Sequence, residues 1–216
     1  MKNSLVLVTV GVVNNGVVHF VGTGFCVSKN KVVTASHVLR GLIGDLIVSP
    51  KVEIKDFSDY QDETQDEFLC IPAKIIEDDP FKDLSILEAE IQIDFNKPLV
   101  TGLDGMKITE TVAIYGFPHC SNSCRKILTY QTAIVGAKTL LLSDGIKSKH
   151  AVLNMQARPG QSGSPVISTT DGSIVGVLVG AYIRKGAELI TIADMTPGDF
   201  NQTTYCVSSE YIKDML

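Results

Sequence analysis

The chain has 216 residues, 44% hydrophobic and 20% charged, enough apolar material for one or two compact domains and too much for a disordered polypeptide. Its formal net charge of −5, with Lys and Arg nowhere clustered, excludes the basic footprint of a nucleic-acid binder. No apolar run approaches the roughly 18 residues of a membrane span, so neither nucleic acid nor membrane is an expected partner.

The opening MKNSLVLVTVGVV has the basic start and short apolar run of a secretory signal, but no small-residue cleavage site follows. Instead NNG, residues 14–16, is hairpin turn chemistry and VVHFV reads as a returning strand. Residues 4–13 are therefore expected to form the first strand of a cytoplasmic protein without a leader or propeptide. Short β-rich runs then recur: VVHFVGTGFCV, KVVTAS, LIVSPKVEI, AKIIE, LSILEAE, TVAIYGF, KILTYQTAIVGA, TLLLS, AVLNMQ, GSPVIS, SIVGVLVGAYI and LITIADM, mostly bounded by Gly, Pro, Asn, Asp or Ser. Helical periodicity is nearly absent until SSEYIKDML, where Ser208 is placed to cap a short C-terminal helix. The number and spacing of strands predict an all-β sandwich or barrel architecture.

Apolar patterning lapses over residues 94–105, where Pro98 and two glycines appear. Two small barrels, residues 1–98 and 99–216, would meet there and leave a cleft between them. Six acids crowd residues 56–67 without periodicity, which reads as a solvated loop, with a calcium site as the lesser alternative. Five cysteines cannot all pair; Cys26, Cys70 and Cys206 read as reduced core thiols. HCSNSC offers His119, Cys120 and Cys124 as metal ligands, but no second Cys or His pair completes a tetrahedral site, so a loop with two free thiols, no metal and no cofactor is expected.

Chemistry concentrates in RPGQSGSPVIS, where Gly160 and Gly163 flank Gln161 and Ser162. Taken alone, GQSGSP is equally a Gly/Ser/Pro turn. A serine nucleophile needs a base within reach, a carboxylate to orient that base, and amide donors for the oxyanion. NKVVTASHVL places His37 directly after an apolar strand, whereas His19 lies inside a strand, His119 in the cysteine loop, and His150 beside Lys149 in a polar turn. FKDLSILEAE puts Asp83 at the head of an apolar strand. Gly160 tolerates the backbone angles needed to aim its amide and that of Ser162 at one point. The chain order His37, Asp83, Ser162 is that of chymotrypsin.

GTGFCVSKNKVVTASHVL, DLSIL and PGQSGSPV together resemble the chymotrypsin-like, trypsin-fold serine endopeptidases, especially the bacterial HtrA-like branch without a PDZ domain, over residues 7–193. The resemblance implies two six-stranded antiparallel barrels with the catalytic triad in the cleft. His37 would serve as general base and then acid, Asp83 would hold its tautomer, and Gly160 and Ser162 would form the oxyanion hole. Ser164 stands where glycine is usual. Cys26 resembles the first half of a disulfide beside the catalytic histidine, but Val38 holds the partner position. Gln156 falls at the base of the specificity pocket and Val179, Gly180 and Ala181 on the substrate-pairing strand, which implies cleavage of protein or peptide substrates after small or medium uncharged residues. Gln161 replaces the charged residue that trypsin-like zymogens pair with their new N-terminus. Gating by substrate, oligomerisation or an activating protein partner is therefore expected, with residues 116–126 as its lever. Two other functions compete: a catalytically silent protease-fold binding module, and a viral polyprotein-processing protease.

Overall fold

The computed structural model describes residues 5–50, 60–64, 67–92, 96–121, 126–181 and 203–216. Asn15 and Gly16 take φ of +50° and +78°, as a two-residue hairpin turn requires. They fold β1 (Leu7–Asn14) onto β2 (Val17–Cys26) in antiparallel register. After β2 come β3 (Lys31–Thr34), a 3-10 turn at Ser36–Leu39, β4 (Asp45–Pro50), β5 (Ile71–Pro72), β6 (Lys74–Asp79) and β7 (Leu84–Glu88). They form one curled sheet in the order β5-β4-β1-β2-β3-β7-β6, wrapped around Val8, Val10, Val32, Val48 and Leu87.

This half has seven strands and an open ladder rather than a closed six-stranded barrel. The reason is local. Pro72 has no N–H to donate, and at Ala73, whose N–H bonds to Leu46 O at 2.9 Å, one would-be strand breaks into β5 and β6, the two edges of the sheet.

The second half closes completely. β8 (Thr111–Gly116), β9 (Thr129–Ser143), β10 (Ile146–Asn154), β11 (Pro165–Ser168), β12 (Ile174–Ala181) and β13 (Thr203–Ser208) form a barrel in the order β10-β13-β12-β11-β8-β9. Its core includes Leu103, Val112, Ile114, Leu153, Val166 and Leu178. KILTYQTAIVGA and TLLLS are one long strand, and the turn after it lies at Asp144 and Gly145, with φ of +47° and +81°. His150 is consequently not in a turn: it is buried in β10, between Thr139 and Val207. Val100 bridges to Ile174, and Leu103 and Met106 pack into the second core, so residues 100–106 are anchored on the closed barrel.

Ser208 precedes a 3-10 turn at Ser209–Tyr211 and α1 (Ile212–Met215), but its side chain makes no capping bond. Its hydroxyl instead accepts the Leu103 N–H at 3.0 Å. None of the described helices is long and apolar enough to cross a membrane. Of the acidic segment, residues 60–64 and 67 are described, and Gln61 clamps both the N–H and the C=O of Leu128, at 2.9 and 2.8 Å. The other acids of that segment lie in part outside the described residues, as do LITIADM and Cys124.

Candidate active site

β3 pairs with β7, Thr34 opposite Ser85, which sets the 3-10 turn after β3 against the head of β7. Asp83 takes φ of +58°, an uncommon conformation for a residue other than glycine. There its carbonyl receives the Ser36 N–H at 3.1 Å while its carboxylate turns on the next residue. Oδ1 accepts the His37 backbone N–H at 2.7 Å, and Oδ2 lies 2.6 Å from His37 Nδ1. An ionised carboxylate only accepts hydrogen bonds, so Nδ1 carries the proton of the neutral ring and Nε2 is left as its basic atom. The two side chains are 38% and 24% exposed, so the ring is reachable from solvent and the carboxylate less so.

The loop between β10 and β11 carries Ser162. Thr204 on β13 ties down its approach, donating to Met155 O at 2.7 Å and accepting the Ala157 N–H at 2.9 Å. Gln161 then closes the loop on itself: its N–H donates to Arg158 O at 3.0 Å, and its buried Oε1 accepts the Arg158 N–H at 2.8 Å. Pro159 O receives the His119 N–H at 2.6 Å. In a trans peptide the C=O and the following N–H point opposite ways, so this bond turns the Gly160 N–H away from His119. Gly160 has φ of +91°, and a Cβ there would come within 2.5 Å of Phe117 O and 2.9 Å of Cys120 Sγ.

Gly163 is where the halves meet most tightly. With φ of +87°, it lies so close to the first sheet that a Cβ would collide with Thr23 O and reach 2.5 Å from Thr34 Oγ1. The Thr23 N–H donates to Ser162 O at 2.9 Å. On the other side the Gly163 N–H donates to Leu178 O at 2.7 Å and the Leu178 N–H to Ser164 O at 2.9 Å, lacing the loop to β12. A Cβ on Gly180 would stand 3.5 Å from Ser162 Oγ. Among the described residues neither the Gly160 nor the Ser162 amide has a hydrogen-bond partner.

The structure thus joins His37 to Asp83 through two bonds, ties the Ser162 carbonyl to β2, and sets Gly163 against Thr34 and Ala35, just ahead of His37. No hydrogen bond joins Ser162 Oγ to the His37 ring among the described residues, a looseness common where no substrate is bound. Val179 falls where the β12–β13 register shifts, and no strand pairs with the other edge of β12 beyond Leu178 among the described residues. Gln156 is exposed, and Ala181 ends β12.

Two details differ from the expectations. The residue abutting Val38 is Gly22, whose added Cβ would lie 2.7 Å from Val38 Cγ1; Cys26 lies four residues on, opposite Val32. Ser164 fills, with its buried hydroxyl, the space a Cβ on Gly116 would need, and that hydroxyl has no hydrogen-bond partner among the described residues. Burial pushes the Cys26 and Cys206 thiols up to about 12, which rules both out as thiolate nucleophiles at neutral pH. Sequence reasoning missed Thr23 and the side-chain role of Gln161, since neither carries a charge or a catalytic group.

The family profile of the trypsin-like peptidase domain matches residues 22–177, nearly three-quarters of the chain. The chain belongs to that family. As a trypsin-like peptidase domain it is also similar in fold to the Rv3671c protease of M. tuberculosis in its active form, at 20% identity and a TM-score of 0.67, covering 97% of this chain and 78% of that one. The MamO protease domain of Magnetospirillum magneticum, in its apo form, is similar at 17% identity and a TM-score of 0.67, covering 97% of this chain and 95% of that one.

Proposed function

We propose that this trypsin-like domain is a serine endopeptidase working through an acyl-enzyme, with Ser162 as nucleophile, His37 as base and Asp83 as the group that orients the base. The observation that carries this reading is the two-point contact of Asp83 with His37. It leaves Nε2 as the proton acceptor. His37 removes the proton as Ser162 Oγ attacks the scissile carbonyl, then gives it to the leaving amine; water repeats the cycle on the acyl-enzyme. Asp83 stays ionised and stabilises the imidazolium formed in between. The Gly160 and Ser162 amides, which have no other partner among the described residues, take the charge that develops on the carbonyl oxygen.

Substrate would extend the unpaired edge of β12 at Val179, Gly180 and Ala181 by β-augmentation. Gln156 brings no carboxylate to the pocket, and a cationic side chain would lack a counter-charge there. Cleavage after small or medium uncharged residues follows, and a peptide-library profile dominated by Lys or Arg would refute it. Gating by a partner finds less support: Gln161, His119 and Thr23 already hold residues 158–161 from within the chain.

Hydrolysis of casein, measured beside thermal unfolding, tests the assignment. Ser162→Ala, His37→Ala and Asp83→Asn are each expected to lower kcat by about 10⁴-fold or more while the melting transition is kept. Full activity in Ser162→Ala would end it.

A further inference from the structure

Thr23 lies on β2, in the half of the molecule that does not carry Ser162, and is fully buried. Its hydroxyl is spent in both directions. Oγ1 accepts the Phe117 N–H at 3.1 Å and donates to Gly160 O at 2.7 Å. A hydroxyl has one proton to give, so the inward bond from Phe117 fixes how that proton is aimed at Gly160. The Thr23 N–H meanwhile holds Ser162 O, and its carbonyl accepts Thr34 Oγ1 at 2.8 Å, three residues before His37. One side chain and its backbone therefore grip the carbonyls of both Gly160 and Ser162, from a residue 137 positions away in the chain in the case of Gly160.

Those two carbonyls belong to the residues whose amides are the proposed oxyanion donors. His119, through Pro159 O, fixes the peptide plane that contains the Gly160 N–H, and Thr23, through Gly160 O, fixes the next plane along. Glycine at φ of +91° resists rotation little by itself, so the direction of its N–H depends on these external bonds. We infer that the Thr23 hydroxyl is a positioning residue for the oxyanion hole, coupling the first barrel to the Gly160 amide by the relay Phe117 N–H to Thr23 Oγ1 to Gly160 O. This inference rests on the reading of Gly160 and Ser162 as oxyanion donors. Nothing but a hydroxyl fits the place: valine has the same shape but would leave a buried N–H and a buried C=O unpaired, whereas serine keeps both bonds.

The test compares the unmodified chain with Thr23→Val and Thr23→Ser, measuring kcat and KM on one peptide substrate and affinity for a peptide boronic acid. Removing an oxyanion donor outright costs about 10²–10³ in kcat. Misaiming one should cost Thr23→Val about 10-fold or more in kcat with KM within about twofold, and boronate affinity should fall in parallel. Thr23→Ser should recover most of the rate. Equal kcat in the unmodified and Val proteins, or equal losses in Val and Ser, would overturn the inference. Amide exchange on the unmodified protein guards against a Val variant that does not fold: the Phe117 amide should be protected as strongly as those of the barrel strands, and fast exchange there would sink the relay. If the peptidase reading itself is wrong, the unmodified chain will neither turn over nor react with a fluorophosphonate, a result that removes the inference too but differs from an active enzyme indifferent to Thr23.

Discussion

Three uncharged residues shape the loop around Ser162. Gly163 cannot carry a side chain, since a Cβ would collide with Thr23 O and its φ of +87° disfavours any L-residue. Gly163→Ala is expected to destabilise the fold by about 3 kcal/mol or more and to abolish turnover, as read from chemical unfolding and peptide cleavage. Ser164 has the opposite sign. Its hydroxyl is buried with no hydrogen-bond partner among the described residues, and leaving such a group unpaired costs about 1–3 kcal/mol. Ser164→Ala should therefore raise the unfolding midpoint while leaving kcat and KM unchanged; a loss of stability would show that the hydroxyl is satisfied after all. Gln161 is the third, closing the loop with its own amide where the sequence suggested only a missing charge. Gln161→Met should lower both stability and kcat, with unchanged kcat showing that the loop does not need the clamp.

At the scale of elements, β10 carries a pH dependence. Burial holds the His150 ring below its ordinary value of 6.5, against the smaller opposing pulls of the Ser148 carbonyl and the Asp83 charge. The folded chain therefore prefers the neutral ring, the unfolded chain binds the proton more readily, and stability falls as pH drops through about 6.5. Thermal unfolding between pH 7.5 and 5.5 should show a steeper loss in the unmodified protein than in His150→Gln; parallel curves would contradict it. This residue also marks where the sequence misled. Lys149 beside it made His150 look like part of a polar turn, but Asp144 and Gly145 had already turned the chain. β13 went unread for a related reason, because TTYCVS has little apolar contrast and becomes a strand only by filling the gap between β10 and β12. The hairpin at Asn15 and Gly16 and the strands bearing His37 and Asp83 were legible because turn chemistry and apolar runs act locally.

At the scale of the molecule, the open sheet and the closed barrel are joined where catalysis is proposed and again along the C-terminal segment. Thr23 and Gly163 make the first seam. The second is the C-terminal segment: Lys31 Nζ donates to the Leu216 carbonyl at 2.6 Å and Lys82, next to Asp83, lies 5.3 Å above the Tyr211 ring. The first seam was invisible in the sequence, since residues over a hundred positions apart declare no affinity for one another; the two-part design and the polar constellation were legible because strand count and motif order survive without coordinates. The two halves are proposed to bring Ser162 under the action of the His37–Asp83 pair, and fluorophosphonate labelling followed by mass spectrometry of the modified peptide tests this arrangement. A single adduct is expected on Ser162 in the folded protein, absent from Ser162→Ala and strongly slowed in His37→Ala. A folded chain that takes no label, or takes it equally well without His37, would contradict it.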